Sequence, residues 1–194
     1  NTFILKPSEK DPSCPLKLAE LFKEAGLLDG VFNVLNGDKE AVNYILKSKD
    51  ISSVSFVGST PVAKYIYEES GRQGKRVQSL GGAKNHLIVM PDANLEQTVD
   101  GIMGAAYGSA GERCMAVAVA VAVGDIADKL VHNIHEKTKQ LKVLPWTHNE
   151  ADMGPLISKE HLSKVTNYIE TGVKEGASLV ADGRNYKLQG YEKG

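Results

Sequence analysis

A cysteine in a glycine-rich loop is the strongest sign of chemistry in this sequence. The segment Gly108-Ser109-Ala110-Gly111-Glu112-Arg113-Cys114-Met115 gives the backbone freedom to expose the Cys114 sulfur atom. The thiolate is the nucleophilic form of cysteine, and the cation of Arg113 beside it favours that form. The segment therefore indicates covalent catalysis, with a buried and inert cysteine as the alternative. Cys14, within Pro-Ser-Cys-Pro, has no such setting and is interpreted as structural.

A second candidate site is Gly58-Ser59-Thr60-Pro61, which follows an apolar strand and opens a helix. Free N–H groups and the positive end of the helix dipole meet there, so a phosphate can be held without a charged side chain. The dinucleotide fingerprint Gly-x-Gly-x-x-Gly is absent, because Thr60 and Ala63 stand in place of its second and third glycines. The alternative is a turn that only connects strand to helix.

The third candidate is the charged segment Lys6-Pro7-Ser8-Glu9-Lys10, directly after the first predicted strand. Ligands of parallel sheets bind outside the carboxyl ends of the strands, so Lys6 and Glu9 could hydrogen-bond the hydroxyls of a ribose. An ordinary charged turn is the alternative.

The histidines and carboxylates form no recognisable metal-binding set. His132 and His135 are three residues apart, but they flank an apolar helical stripe, and no pair has the spacing of a metal site. Glu68 and Glu69 lie on the flank of a predicted helix and are interpreted as surface residues. We predict no bound metal. All five histidines are interpreted as solvated: His86, His132, His135, His148 and His161.

The candidate sites have to be positioned by an alternation of strands and helices. Short apolar runs alternate along the chain with segments of helical period, which is typical of an α/β fold with a parallel sheet. The predicted strands cover residues 2–5, 31–35, 53–57, 87–90 and 115–123. The first and third strands end directly before two of the candidate segments, and the fifth begins at the cysteine loop.

Six helices are predicted, each with one apolar stripe facing a core. The stripes consist of Leu18, Leu21, Phe22 and Ala25; Val42, Ile45 and Leu46; Val62, Tyr65 and Ile66; Val99, Ile102, Met103 and Ala106; Ala127, Leu130, Val131 and Ile134; and Leu162, Val165 and Ile169. We expect Gly26 to end the first helix and Ser158 to cap the sixth. Thr60 is predicted to cap the third helix, with Pro61 in its first turn.

Composition and charge exclude several classes of function. The 194 residues carry 23 Lys and Arg against 24 Asp and Glu, a formal net charge of -1, so a nucleic-acid-binding surface is not indicated. The longest apolar run, residues 115–123, is far shorter than the roughly 20 residues that a membrane helix needs. Two cysteines are too few for a disulfide scaffold, which favours a reducing compartment.

Two breaks in the sequence bear on its organisation. The chain opens at Asn1 into an apolar run without Met, and residues 190–194 form a polar, glycine-flanked stretch, so we interpret it as an excerpt of a longer protein. The character of the sequence also changes near Gly81-Gly82-Ala83. We predict a domain boundary there, which separates residues 1–82 from residues 83–194.

Four segments, taken together and in this order, resemble the motifs of the aldehyde dehydrogenase superfamily: residues 6–9, 56–60, 80–82 and 111–114. The resemblance runs along essentially the whole chain. It implies that residues 1–82 are the C-terminal part of a Rossmann-like, parallel-sheet NAD-binding domain. It implies that residues 83–194 are the N-terminal part of an α/β catalytic domain.

The resemblance also implies roles for individual residues. Cys114 is the nucleophile of the family's reaction. Lys6 and Glu9 hold the adenosine ribose of NAD, and Lys10 lies beside them. The other implied cofactor-binding residues are Gly58 and Ser59, at the pyrophosphate, and Leu80.

One departure from the hydrolytic members of the family bears on the reaction product. In those members a Glu stands immediately before Leu-Gly-Gly and activates the water that cleaves the thioester, whereas this chain has Ser79. A serine hydroxyl is no general base at neutral pH. The thiol of coenzyme A ionises at about pH 8 to 9 and is intrinsically nucleophilic, so it depends less on a strong base. Thioester formation is the consistent outcome.

The variants at residues 81–86 and 108–116 look most like the acylating, coenzyme A-dependent branch of the family. That resemblance implies NAD-dependent oxidation of methylmalonate semialdehyde to propionyl-CoA, or of malonate semialdehyde to acetyl-CoA, as in valine catabolism. Arg113 could then pair with the carboxylate of the semialdehyde, the alternative being that it pins its loop to a surface carboxylate. The alternatives for the whole chain are a hydrolytic member of another subfamily and a catalytically incomplete, inactive piece.

The resemblance finally implies partners and a location. The expected partner is a small-molecule semialdehyde, with neither nucleic acid nor membrane. The family forms homodimers and homotetramers, so a homo-oligomer is expected. The expected location is the mitochondrial matrix in a eukaryote and the cytoplasm otherwise.

Overall fold

The computed structural model describes residues 1–191 and has an α/β fold. The chain separates into two compact units, of which the first is Asn1–Gly82 and the second starts at Ala83. All strand pairs in both units are parallel within the described residues, as predicted from the alternation of apolar runs and helical segments. The division into two units does not show what either unit binds. Their assignment as parts of a cofactor domain and a catalytic domain therefore stays a prediction.

The first unit contains two parallel strand pairs with a helix after each of the first three strands. Its elements are β1 (Phe3–Leu5), α1 (Ser13–Glu24), β2 (Phe32–Val34), α2 (Lys39–Lys47), β3 (Ser53–Val57), α3 (Thr60–Arg72) and β4 (Arg76–Leu80). Strand β1 pairs with β2, and β3 pairs with β4.

The second unit is built around one parallel pair. Its elements are β5 (Asn85–Val89), α4 (Leu95–Ile102), a π-helical turn (Met103–Tyr107), a tight loop (Gly108–Gly111), β6 (Val117–Ala122), a short 3-10 turn (Gly124–Ile126), α5 (Ala127–Thr138) and α6 (Lys159–Lys174). Strand β5 pairs with β6, so the segment that contains Cys114 is the connection into β6.

Strand β4 was not among the predicted strands. It pairs with β3 along its whole length, from Ser53 opposite Arg76 to Val57 opposite Leu80. Its half-buried positions are Val77 and Ser79, and only the first is apolar. The strand therefore lacks the apolar run or alternation by which the other strands were found.

Helix α3 begins at Thr60, so its N-cap lies one residue earlier than predicted. Ser59 is the N-cap residue, and Pro61 lies in the first turn as expected. The prediction for Thr60 is wrong, because its Oγ1 accepts a hydrogen bond of 3.0 Å from the Gly82 N–H and lies within the helix.

The buried stripe of α3 is shifted by one residue from the predicted one. Its buried residues are Ala63, Ile66 and Ser70, whereas Val62 and Tyr65 are exposed. Two of the buried side chains are small, which lets the helix approach the β3–β4 pair closely. The prediction was correct for Ile66 alone.

The core of the second unit lies between β5, α4 and α5. Its buried residues are Val89, Val99, Ile102, Ile126 and Leu130. Burial of each such side chain contributes roughly 1.5–3 kcal/mol relative to exposure. The predicted α4 stripe is confirmed, since Met103 and Ala106 also pack against this cluster, but Val131 in the predicted α5 stripe is exposed.

The predicted stripe of α1 is not buried. Leu18, Leu21 and Phe22 are each more than two-fifths exposed, although the Phe22 ring contacts the Phe32 ring of β2 at a centroid distance of 5.3 Å. The stripe has the helical period because the residues share a face, but within residues 1–191 only a three-residue strand lies beneath it. In α2, Leu46 is fully buried as predicted.

The predicted cap of α6 is confirmed, because the Ser158 Oγ accepts a hydrogen bond from the His161 N–H. The predicted stripe of this helix contains no buried residue. The stretch 190–194, interpreted above as an interrupted connection, lies mostly outside the described residues.

None of the helices within residues 1–191 combines the length and the apolar character that a membrane crossing requires.

Candidate active site

The loop before Cys114 has an unusual backbone conformation. Ser109, Ala110 and Gly111 are consecutive left-handed residues, with φ angles of 53°, 52° and 73°. This conformation costs a residue other than glycine roughly 1–2 kcal/mol. The loop therefore needs tertiary contacts to hold it, and strained backbone of this kind clusters at functional sites.

The thiol of Cys114 is free and exposed, which excludes the alternative of a buried cysteine. The residue lies in a turn closed by a hydrogen bond of 3.1 Å from the Ala116 N–H to the Arg113 carbonyl oxygen. Cys14 is also free and exposed, in the first turn of α1. Exposure alone thus does not distinguish the two cysteines, whereas the loop around Cys114 does.

Asn85 holds this turn from the start of β5. Its Nδ2 donates hydrogen bonds to the carbonyl oxygens of Cys114, at 2.8 Å, and of Ala116, at 3.0 Å. Sequence reasoning missed this residue. The available signal was weak: a polar amide as the first residue of a strand whose last three residues are apolar.

Arg113 packs over Gly108. A Cβ atom added to Gly108 would lie 2.8 Å from the Arg113 Nη1, so only glycine allows the guanidinium to approach this closely. Gly108 was predicted to give the backbone freedom. Its φ is -55°, which any residue can adopt, so its role is to let the Arg113 guanidinium approach closely. Arg113 lies beside Cys114, as predicted, because the two residues are consecutive in the sequence.

Glu112 connects the loop to helix α6. Its Oε1 lies 3.2 Å from the Nε2 of His161. This half-exposed contact had no sequence signal, because 49 positions separate the partners. The side chain of His161 is 41% exposed, in agreement with its interpretation as solvated, whereas that interpretation is wrong for His135, whose Nδ1 atom is buried.

A cavity of about 200 Å³ lies beside the loop, lined by Met103, Gly104, Tyr107, Gly108, Leu141 and Asp152. Burial raises the pKa of Tyr107, so its hydroxyl stays protonated at neutral pH. Cys114 does not line this cavity. Within the described part of the chain, Cys114 is exposed.

Lys6 is tied into the first unit more firmly than predicted. Its Nζ donates to the carbonyl oxygens of Pro7, at 2.5 Å, and of Gly37, at 2.6 Å, and lies 3.6 Å from a carboxylate oxygen of Glu9. The Lys6 side chain is 16% exposed, against 54% for Glu9. Lys6 thus has a structural role in addition to any contact with a ligand. Lys10 is exposed.

The second predicted cofactor cluster lies at the carboxyl ends of β3 and β4. The Gly58 N–H donates a hydrogen bond of 3.1 Å to the Leu80 carbonyl oxygen, which brings these two residues together. Ser59 follows at the N-terminus of α3 and makes no side-chain capping bond there. A Cβ atom on Gly58 would lie 2.4 Å from the Phe56 ring, so any other residue here would force that ring to move.

The first-turn N–H groups of α3 fit an anionic ligand. A helix leaves its first N–H groups without intrahelical partners, and no Ser59 side-chain bond caps this helix. Together with the helix dipole, these donors suit a pyrophosphate. Among residues 1–191, by contrast, no group of three His, Cys, Asp or Glu side chains is placed to hold a metal ion.

The sequence profile of the aldehyde dehydrogenase family matches residues 1–194, and the chain belongs to that family. The resemblance drawn from the sequence motifs is thereby confirmed.

Relatives within this family that are more than 50% identical to the chain are named as semialdehyde dehydrogenases. Malonate-semialdehyde dehydrogenase of Pseudomonas aeruginosa is 57% identical over 195 residues, covering 100% of this chain and 39% of that protein. Two solved structures superpose with a TM-score of 0.93 at 54% identity, covering 100% of this chain and 40% of theirs. They are a protein of Sinorhizobium meliloti 1021, assigned as a methylmalonate-semialdehyde dehydrogenase and complexed with NAD, and the methylmalonate-semialdehyde dehydrogenase of Oceanimonas doudoroffii. The chain thus spans about two-fifths of the length of these relatives.

Proposed function

We propose that this chain is part of an NAD-dependent, coenzyme A-acylating dehydrogenase for methylmalonate semialdehyde and malonate semialdehyde. The observation that carries the proposal is the exposed Cys114 thiol at the end of a strained, braced loop. The names of the relatives support a semialdehyde as substrate. Because the chain spans only part of their length, the activity belongs to the whole protein.

The first step assigned to this chain is nucleophilic attack. The Cys114 thiolate attacks the aldehyde carbon and gives a thiohemiacetal, whose oxyanion is stabilised in part by the Cys114 N–H. Bound NAD would supply the hydride acceptor for the oxidation, which would leave the acyl group on Cys114 as a thioester.

The proposed NAD contacts lie in the first unit. Lys6 and Glu9 would hold the ribose hydroxyls, with Lys10 beside them, because they follow the carboxyl end of β1. Gly58, Ser59 and Leu80 would contact the pyrophosphate region. The solved relative complexed with NAD supports this cofactor, and the uncapped N-terminus of α3 fits it. Residues 1–82 and 83–194 would then be parts of the cofactor and catalytic domains.

Ser79 supports thioester transfer rather than hydrolysis. Its Oγ donates a hydrogen bond of 2.6 Å to the Ala63 carbonyl oxygen, so the side chain is both a poor base and engaged in the fold. Coenzyme A would take the acyl group from Cys114, and loss of carbon dioxide from the methylmalonate-derived group would give propionyl-CoA. The malonate semialdehyde would give acetyl-CoA. A hydrolytic aldehyde dehydrogenase is the second candidate, but this chain has Ser79 where the hydrolytic members of the family have their general base.

The assembly and location are proposed from the family and the relatives. A homodimer or homotetramer is the expected assembly of the whole protein. The bacterial relatives support the cytoplasmic alternative for its location and give no support to the mitochondrial one.

The test is the Cys114→Ala variant of the full-length protein, with Cys14→Ala as the matched control. We expect Cys114→Ala to abolish NADH formation from methylmalonate semialdehyde while NAD affinity, measured by calorimetry, stays nearly unchanged. Cys14→Ala should keep most of the activity and form propionyl-CoA only when coenzyme A is supplied. Substantial turnover by Cys114→Ala would remove Cys114 from the reaction, and release of free acid would favour the hydrolytic alternative.

A further inference from the structure

We infer that Asn85 is a positioning residue that aims the Cys114 thiol by holding the backbone on its C-terminal side. The inference rests on the proposed role of Cys114 as the nucleophile. Asn85 lies within residues 81–86, on which the resemblance to the acylating branch partly rests, but no role was predicted for it individually.

The side chain of Asn85 contacts the turn formed by residues 113–116, which we call the nucleophile turn. One side-chain amide has two N–H donors, and the Asn85 Nδ2 uses them on two carbonyl oxygens of the turn, those of Cys114 and Ala116. The acceptors are two residues apart, so the amide spans the turn immediately after the cysteine. The Cys114 carbonyl is thereby fixed in orientation, and the peptide plane that follows the cysteine is fixed with it.

A fixed peptide plane matters here because the N-terminal side of the turn is strained. Ser109 and Ala110 adopt left-handed conformations that neither residue prefers. A loop under strain relaxes when its contacts are lost, and the direction of the Cys114 Cα–Cβ bond would change with it. A misplacement of about 1 Å at a reacting atom can cost on the order of 100-fold in rate.

A bulge in the strand pair places Asn85 where it can reach the turn. Asn85 lies opposite Val117 in the register, whereas the next residue, His86, lies opposite Val119. The extra residue on β6 is Ala118. Bulges of this kind re-aim side chains at the ends of strands and next to active sites. Asn85 is the first residue of β5 and lies at the bulge. Its side chain therefore contacts the loop and not a residue of the paired strand.

The competing interpretation is that Asn85 only ties β6 to β5 and contributes to stability alone. An isosteric change separates the two. In Asn85→Asp, a carboxylate of the same shape replaces the donor, so both bonds are lost and a negative charge takes the place of a neutral donor that lies 2.8 Å from the carbonyl oxygen of Cys114 itself. That charge disfavours the thiolate, so reaction of the thiol should require higher pH.

The experiment compares Asn85→Ala and Asn85→Asp in the full-length protein with a matched control, Asn94→Ala. Asn94 lies in the same unit and caps α4 by accepting a bond from the Gln97 N–H, so its loss weakens the fold without touching the turn. Three quantities are measured: kcat and KM for NAD and semialdehyde, Tm, and the pH dependence of iodoacetamide alkylation. Peptide mass spectrometry resolves alkylation at Cys114 from that at Cys14, which serves as the internal reference.

If Asn85 positions the nucleophile, kcat falls about 10- to 100-fold in both Asn85 variants while KM for NAD is unchanged. The alkylation profile of Cys114 in Asn85→Asp moves to higher pH, and that of Cys14 does not. Asn94→Ala lowers Tm but keeps kcat within about twofold.

Unchanged kcat in both Asn85 variants, or a fall in kcat that Asn94→Ala reproduces at equal loss of Tm, would overturn the inference. An alkylation profile of Cys114 that does not move in Asn85→Asp would overturn it as well. These results differ from a failure of the proposed function, which would appear as retained activity in Cys114→Ala. If Asn85→Ala does not fold, the isosteric Asn85→Asp decides the question through the alkylation of Cys114.

Discussion

The Ser79 hydroxyl donates a hydrogen bond of 2.6 Å to the carbonyl oxygen of Ala63, one of the buried residues of α3. Ser79 lies on the half-buried side of β4, so this bond joins the strand to the helix that packs on it. The proton of the hydroxyl is therefore used within the fold. This arrangement gives a geometric reason, besides pKa, why Ser79 cannot replace the glutamate of hydrolytic family members.

Replacement of Ser79 by Ala should leave the reaction product unchanged. The free energy of unfolding should fall by about 1 kcal/mol, because the Ala63 carbonyl loses a hydrogen-bond donor. Denaturant unfolding and product analysis in the presence of coenzyme A check the two parts. Ser55→Ala is the matched control, since its hydroxyl bonds an exposed Gln78 side chain at 3.2 Å and should contribute less. A shift from thioester to acid, or a loss of turnover without loss of stability, would contradict this account of Ser79.

Variants of Lys6 and Glu9 should differ in their effects on NAD affinity and on the free energy of unfolding. Lys6→Ala removes the donor to the Pro7 and Gly37 carbonyls, so both NAD affinity and the free energy of unfolding should fall, each by about 1–3 kcal/mol. Glu9→Gln should weaken NAD binding while stability changes by less than about 1 kcal/mol, because an exposed ion pair contributes little. Calorimetric titration with NAD and thermal unfolding give the two quantities.

The Glu9 variant decides between the two interpretations of this segment. A KM for NAD that is unchanged in Glu9→Gln, together with a Lys6→Ala variant that loses stability alone, would show that residues 6–10 form only a charged turn. Lys10→Ala offers a further comparison, because Lys10 is exposed and carries a charge at the same strand end.

The contact between Glu112 and His161 should contribute little to the stability of the loop before Cys114. Both side chains are partly exposed, at 29% and 41%, and exposed pairs contribute about 0–1 kcal/mol. We expect His161→Gln and Glu112→Gln each to lower kcat/KM by less than about fivefold. A double-mutant cycle on the free energy of unfolding measures their coupling. A coupling above about 2 kcal/mol would show instead that α6 is a main brace of the loop.

Sequence patterns predicted those parts of the fold in which the local signal and the tertiary environment agree. Strand β3 was predicted with its observed bounds, Ser53–Val57, because it is bounded by a helix end and by Gly58. Strand β4 was missed because Ser79 occupies an inward position that an apolar residue usually marks. The apolar stripe of α1 has the predicted helical period. The period alone, however, does not show whether another element covers that face of the helix.

The candidate site was predictable to the extent that its residues are contiguous. The motif around Cys114 is local, so its identity could be read from eight consecutive residues. Asn85, by contrast, reaches Cys114 across 29 positions through a bulge in the β5–β6 pair. Such a contact is a product of strand register, which a single sequence does not encode in any short pattern.

Arg113 is the residue for which structure and proposed chemistry give competing roles. Its guanidinium packs on Gly108, which suggests that it shapes the loop. The proposed substrate, however, carries a carboxylate close to its aldehyde carbon, and a guanidinium on the residue next to Cys114 suits a planar, charge-assisted pair with it. Two substrates and two variants separate these roles.

If Arg113 binds the carboxylate, Arg113→Leu should cost about 2–4 kcal/mol in kcat/KM for methylmalonate semialdehyde, and much less for propanal, which has no carboxylate to lose. Gly108→Ala is the companion variant, because the new Cβ would displace the guanidinium without removing its charge. It should reduce turnover of both substrates by distorting the loop, and steady-state kinetics of each variant on each aldehyde provide the comparison. Equal losses on both substrates in Arg113→Leu, matching those of Gly108→Ala, would make Arg113 a residue that shapes the loop or activates Cys114, and carboxylate recognition would then have to come from another part of the protein.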